Sequence, residues 1–215
     1  MSGFICKLLI PVLMLPCCGR EKSLPSTDRP EEKVTGIISS ARTTAPSDPV
    51  LEENLRNSAM TGNTVSVEYL LSRNVNINAT DRDGRTPMML AAFNGHTGIV
   101  KAFLERGAPV NAIDSAGRTA LIYASTGPYP ETVKLLLSHQ ADPDISDNKD
   151  KFTALMFAAS EGQLEVVRIL LANNANPFLK DKDNDNAEIF ARRNGHNEIS
   201  DFIKVAAGKP NASTK

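Results

Sequence analysis

The sequence predicts an all-α solenoid of about five stacked helix-turn-helix units with projecting hairpin-like fingers, and three observations carry that prediction. The first is a period: Gly62, Gly95, Gly162 and Gly195 share one phase, with Pro128 in the slot between them, at steps of 33, 33, 34 and 33 residues. The second is that the apolar residues keep the same clock. Val67, Val100, Val133 and Val167 recur together, as do Leu70, Phe103, Leu136, Leu170 and Ile203. The third is that helix start and stop signals return inside each period. A fixed period of this length means units that cannot bury their apolar faces alone and must stack.

The second period is the clearest. Thr86 before Pro87 opens a first helix, because the hydroxyl can cap free N–H groups and proline is tolerated at the first helical position. Thr119-Ala120 and Thr153-Ala154 repeat that signal. Small residues at Ala91-Ala92, Ala124-Ser125 and Ala158-Ala159 allow close approach to neighbouring helices. Gly95 or Gly162 then ends the helix, where a left-handed residue costs little. Val100, Phe103 and Leu104 give the second helix an inward apolar stripe. Gly107 stops it, and Asn111-Ala112 with Asp114 and Gly117 makes a turn that projects sideways as a finger.

Asp81-Arg82-Asp83-Gly84-Arg85-Thr86-Pro87-Met88-Met89-Leu90-Ala91-Ala92, followed by Gly95-His96, Ile99 to Leu104 and Gly107 to Ala112, resembles the ankyrin repeat. The third copy keeps Asp114, Gly117, Thr119 to Leu121, Ala124, Val133, Leu136-Leu137 and Ala141-Asp142. The fourth keeps Thr153 to Leu155, Ala158-Ala159, Glu161-Gly162, Val166-Val167 and Leu170-Leu171. A degenerate first copy (Ala59, Gly62, Val67, Leu70-Leu71) and last copy (Asp181, Ala191, Gly195-His196, Ile199, Ile203) bracket them. The resemblance places repeats at about 49–80, 81–113, 114–147, 148–180 and 181–207.

Departures from the family pattern carry information. Met89, Ile122, Met156 and Ile189 stand where the family places a histidine, so its hydrogen-bond network to the finger is expected to be missing. Gly127-Pro128-Tyr129-Pro130 replaces a Gly-His turn, and one extra residue enters the finger near Asp147 to Asp150. Arg192 and Ser200 take positions that are small or apolar elsewhere, as a solubilising cap requires.

The ends are a different material. Residues 1–18 carry Lys7 and then the apolar run Leu8 to Leu15, too short to span a bilayer but long enough for a signal-peptide core. A core ending in Cys17 and Cys18 resembles a bacterial lipoprotein leader, in which a cysteine is lipidated. The expected location is therefore exported, periplasmic or envelope-associated; the alternative is a cytosolic chain with an accidental apolar start. Cys6, Cys17 and Cys18 are the three cysteines, so residues 19–215 offer no thiol for disulfide, nucleophile or metal. Residues 19–48, with Pro25, Pro30, Pro46 and nine Ser or Thr, read as a disordered tether. Residues 208–215 read as a frayed tail.

Chemistry is hard to find. His96 and His196 follow helix-ending glycines and read as turn residues, and His139 has no partner at ligand spacing. No phosphate loop, nucleophile elbow or carboxylate pair appears, so no catalytic residue, cofactor or metal is expected. Asp181 to Asn186 opens like a calcium loop. However, Asn186 stands where glycine is needed and Arg192 where a bidentate glutamate should close it, so a solvated turn is the better reading. A formal net charge of −1 with scattered Lys and Arg argues against nucleic acid. A monomer that meets the membrane only through its leader is expected.

The resemblance implies a protein partner on a concave face of finger tips and exposed first-helix sides. By register these are Met60 and Thr61, then Arg82, Asp83, Arg85, Phe93, Asn94 and Ile113. The third and fourth copies add Ser115, Arg118, Thr126, Gly127, Lys149, Asp150, Phe152, Ser160 and Glu161. Phe93 and Phe152 are aromatic in a chain with 5% aromatic residues, and either they anchor a partner or each folds against its neighbouring finger. Tyr129 is a weaker candidate on the opposite rim. The implied function is non-catalytic protein binding; an inhibitor or immunity-type protein and a cell-envelope tether are the alternatives.

Overall fold

The computed structural model describes residues 48–208; the leader with Cys17 and Cys18, the rest of the tether and the tail after Gly208 lie outside the described residues. Ten helices follow in pairs among the described residues. The first helices are α1 (Pro49–Thr61), α3 (Pro87–Phe93), α5 (Ala120–Ser125), α7 (Ala154–Ser160) and α9 (Ala187–Arg193). The second helices are α2 (Thr64–Ser72), α4 (Thr97–Glu105), α6 (Pro130–Ser138), α8 (Leu164–Ala172) and α10 (Asn197–Ala207). Each pair stacks on the next, giving an all-α repeat array.

The packing follows from the side chains at the repeating positions. Ala91, Ala92, Ala124, Ser125, Ala158 and Ala159 are all buried, and so the first helices lie closely against one another. Val67, Val100, Val133 and Val167 are fully buried beneath the second helices, with Phe103, Leu136 and Leu170 beside them. These short helices are marginal by themselves, and the shared core supplies their stability. Thr86, Thr119 and Thr153 accept at Oγ1 from the N–H of Met89, Ile122 and Met156 at 3.3, 3.2 and 3.4 Å, and Asn186 does the same for Ile189 at 3.1 Å. Three of the four residues in the family's histidine slot, Met89, Ile122 and Met156, thus become buried core.

The turn between paired helices has one recurring device. Gly95 adopts φ 69°, a conformation that costs other residues about 1–2 kcal/mol. The ring of the following repeat then lies over that glycine: His96 covers Gly62, Tyr129 covers Gly95 and His196 covers Gly162. Tyr129, expected as an exposed tyrosine, is instead half-buried in this stack. The third repeat departs because Pro128 cannot adopt a positive φ and α5 ends early at Ser125. Pro130 has no N–H, so the bond that Thr97 makes to the Gly95 carbonyl (2.8 Å) is replaced by Tyr129 N–H to the Gly127 carbonyl (2.9 Å).

The last repeat ends the core with polar groups. Glu188, Ser200 and Lys204 occupy the slots of Leu155, Val167 and Leu171. Buried Ser200 donates its hydroxyl to Glu188 Oε1 at 2.7 Å, and Lys204 Nζ lies 3.3 Å from the same oxygen. The Ser200 hydroxyl, with Lys204 and Arg192 behind it, holds the Glu188 carboxyl below the usual glutamate range. The slots that hold leucine and valine in the preceding repeat are thus filled here by a satisfied hydrogen-bond network.

Candidate functional site

The fingers are built on a repeated aspartate. Oδ1 of Asp81 accepts from the N–H groups of Asp83 and Arg85 at 3.0 and 2.9 Å. Asp114 accepts from Ala116 and Arg118 at 2.9 and 2.8 Å, and Asp181 from Asp183 and Asp185 at 3.0 and 2.8 Å. Asp147 accepts instead from Asp150 and Phe152, at 2.9 and 3.1 Å, one residue further along. The extra residue of that finger therefore lies between Asp147 and Asp150. Each turn closes through a left-handed residue: Gly84, Gly117, Lys151 or Asn184.

Each finger turn is thus closed by its own carboxylate, while Met89, Ile122 and Met156 fill the histidine slot as buried core. Calcium gains no support at Asp181, because two backbone donors occupy its Oδ1. Burial raises the Asp81 carboxyl, but bonds from the Arg85 backbone and guanidinium and the Asp83 N–H outweigh it and leave the group below its ordinary value.

Backbone bonds tie the fingers into a row. Ser115 N–H donates to the Asp83 carbonyl (2.9 Å), Asn148 N–H to Ala116 (2.7 Å) and Lys182 N–H to Asp150 (3.1 Å). Lys182 Nζ also pairs with the Asp150 carboxylate at 2.5 Å. Two residue series therefore run along the concave face in register. The finger series is Arg85, Arg118, Phe152, Asp185; the first-helix series is Leu90, Tyr123, Phe157, Phe190. They interlock across repeats. The Arg118 guanidinium lies over the Phe157 ring at 5.6 Å, a cation–π contact. Phe152 packs on Phe157 at 5.4 Å and on Phe190 at 4.7 Å between centroids. Asp185 pairs with Arg193.

Phe152 thus departs from its expected role as an open anchor: it is half-buried and wedged between two rings. Phe93 is the counterexample. The residue is 51% exposed, and its ring touches Tyr123 edge-on at 5.9 Å between centroids. Met60 and Ile113 are exposed, as are Thr61, Arg82, Asp83, Ser115, Lys149 and Glu161. Asn94, Thr126 and Ser160 are half-buried and occupied by local bonds, to the Leu90 carbonyl, to the Tyr123 carbonyl and from Asn194. Gly127 lies against the Tyr129 ring. The Met60 carbonyl is held 3.2 Å from His96 Nε2, and His139 Nδ1 sits 2.9 Å from the Leu135 carbonyl, so both histidines are in turn or cap roles.

Tyr123 is the residue that sequence reasoning missed. Its hydroxyl donates to Asp114 Oδ2 at 2.6 Å. Burial first, then that bond to a carboxylate, push the phenol up to about 12. The signal was available, since Tyr123, Phe157 and Phe190 recur at steps of 34 and 33.

A family model described as ankyrin repeats in three copies matches residues 55–147 and 127–213, and the chain belongs to the ankyrin-repeat family. No curated protein matches the chain. Repeats of this family generally mediate protein–protein interaction. Among the described residues no helix is long and apolar enough to cross a membrane.

Proposed function

We propose that the chain is a non-catalytic binding module, exported and tethered to a membrane through its leader, that holds one protein partner on its concave face. The observation that carries this reading is the pair of finger arginines, Arg85 and Arg118, beside the half-buried rings of Tyr123 and Phe157, with Phe93 left open next to Tyr123. Aromatic rings flanked by arginine have the composition of binding hot spots. Rigid presentation lowers the ordering cost of association. The backbone bonds between fingers provide that rigidity. A monomer suffices for this role, and it needs no cofactor.

The test is affinity capture from the native cell envelope with the chain and with its Phe93→Ala, Arg85→Ala, Arg118→Ala form. The two baits must first show the same helical circular dichroism. A protein recovered in stoichiometric amount by the native bait alone supports the module. Equal recovery by both baits would falsify the concave-face assignment and move weight to a tether. The leader is tested separately: mass spectrometry of the mature N-terminus should find a diacylglyceryl cysteine at Cys17 or Cys18. A free Met1 would refute both export and anchor.

A further inference from the structure

The cleft between the second and third fingers has a volume of about 260 Å³ and is lined by Asp83, Arg85, Asp114, Ser115, Arg118 and Tyr123. Its charges are unequally occupied. Arg85 is held by Asp81 at 2.8 Å and by Asp83 at 3.1 Å. The Asp114 carboxylate already accepts from two backbone N–H groups and the Tyr123 hydroxyl. Arg118 differs. Its Nε is buried with no hydrogen-bond partner, and its nearest carboxylate oxygen, on Asp147, stands 3.8 Å away. The Arg118 side chain as a whole is 37% exposed and lines the cleft, and its guanidinium makes no hydrogen bond among the described residues, so its outer nitrogens are free to meet an acceptor there.

Resting on the concave-face reading above, we propose that this cleft receives a side-chain carboxylate of the protein partner, an Asp or Glu in an acidic segment that also carries an apolar residue. The Arg118 fork takes the carboxylate while Phe157 stacks beneath it, and the exposed Ser115 hydroxyl adds a second donor. Phe93, beside Tyr123 at the edge of the cleft, receives the apolar neighbour. A planar guanidinium stacked on a ring is pre-set for bidentate binding. The cleft is smaller than the roughly 300–1,000 Å³ of small-molecule sites, which fits one inserted side chain rather than a cofactor.

The full chain, labelled with nitrogen-15, is titrated at millimolar concentration with an acetylated, amidated hexapeptide. Its two central glutamates are flanked by leucine and phenylalanine, and a twin carries glutamines instead. The acidic peptide should shift the Arg118 Nε–H resonance and the amides of Ser115 to Arg118. The glutamine twin should bind about tenfold more weakly, the loss expected for one charge-assisted contact. Arg118→Lys keeps the charge but loses the fork, and should weaken the acidic peptide by a similar factor. Lys101→Gln, on α4, should change nothing.

Equal binding of both peptides, no shift at Arg118 Nε–H, or the same shift from acetate alone would each overturn the proposal. The two readings fail differently. If the twins bind alike and Phe93→Ala abolishes both, the concave face stands and the carboxylate site falls. If Phe93→Ala also leaves both unchanged, the concave-face reading falls with it.

Discussion

Removing one carboxylate should separate what holds a finger from what holds the phenol beneath it. Asp114 is buried and accepts three bonds, at 2.9, 2.8 and 2.6 Å, from Ala116 N–H, Arg118 N–H and the Tyr123 hydroxyl. Hydrogen bonds to a charged acceptor contribute about 1.5–3 kcal/mol each and are not additive within one network. Asp114→Ala should therefore cost about 4 kcal/mol, read as a shift of the urea midpoint. Asp114→Asn keeps an oxygen for the two N–H groups and should cost only about 1–2 kcal/mol. The phenol provides the second reading. Burial is the larger cause of its displacement, so in Asp114→Asn the Tyr123 value should fall from about 12 but stay above 10. The raised value also fixes a sign. The neutral phenol is favoured in the fold, so its stabilisation is complete below about pH 10 and is lost as pH rises towards 12. Titration followed at the Tyr123 Cζ carbon resonance measures this directly. A cost below about 1 kcal/mol for Asp114→Ala, or an unmoved Tyr123 titration in Asp114→Asn, would refute the shared-carboxylate account.

The other expectations test different parts of the array. Phe152→Ala should lower stability by about 2 kcal/mol while Phe93→Ala costs under about 1, because only the first ring is wedged between two others; chemical denaturation of both variants decides this. Gly107→Ala should cost about 1–2 kcal/mol from its positive φ alone, having open space around it. Gly95→Ala should cost clearly more, since its new methyl would enter the Tyr129 ring; equal urea midpoints would refute the ring-over-glycine stack. The depressed Glu188 carboxyl contributes stability above the unfolded value near 4.5 that is lost as pH falls below it. Hydrogen-exchange protection, corrected for the intrinsic rate at each pH, should therefore fall in α10 before α4 as the pH is lowered. Glu188→Leu, Ser200→Val, Lys204→Leu together should produce end-to-end association, visible as concentration-dependent sedimentation, because the polar end becomes an apolar one.

The array was legible because its information is periodic. Valine at 67, 100, 133 and 167 repeats a packing constraint four times, and a constraint seen four times needs no structure to interpret it. The concave face was legible only in part, because exposure depends on neighbours that a single period does not show. Phe93 and Phe152 looked alike as lone aromatics. They sit in different series: Phe93 aligns with Thr126 and Ser160, whereas Phe152 aligns with Arg85 and Arg118 and reaches the rings of two helices. Tyr123 carries no motif of its own in the sequence, and only its alignment in one column with Phe157 and Phe190 marks it. The aspartates that close the fingers, Asp81, Asp114, Asp147 and Asp181, are visible in the sequence as part of the repeat, but a sequence does not show which backbone N–H groups each one holds.

Set side by side, the two series change character along the solenoid. In the second and third repeats the finger residue is an arginine and the floor is Leu90 and Tyr123, with Phe93 open beside them. In the fourth, Phe152 fills its own floor against Phe157 and Phe190. In the fifth, Asp185 is closed by Arg193. Finger and floor satisfy each other towards the C-terminal end, and there a partner would have to displace contacts the protein already makes. Near the second and third fingers one guanidinium and one ring remain only partly matched. Association is favourable where it meets groups that folding has left unmatched. On the reading proposed above, a partner would therefore meet the array around Arg118 and Phe93, where finger and floor are least matched, rather than at the C-terminal repeats.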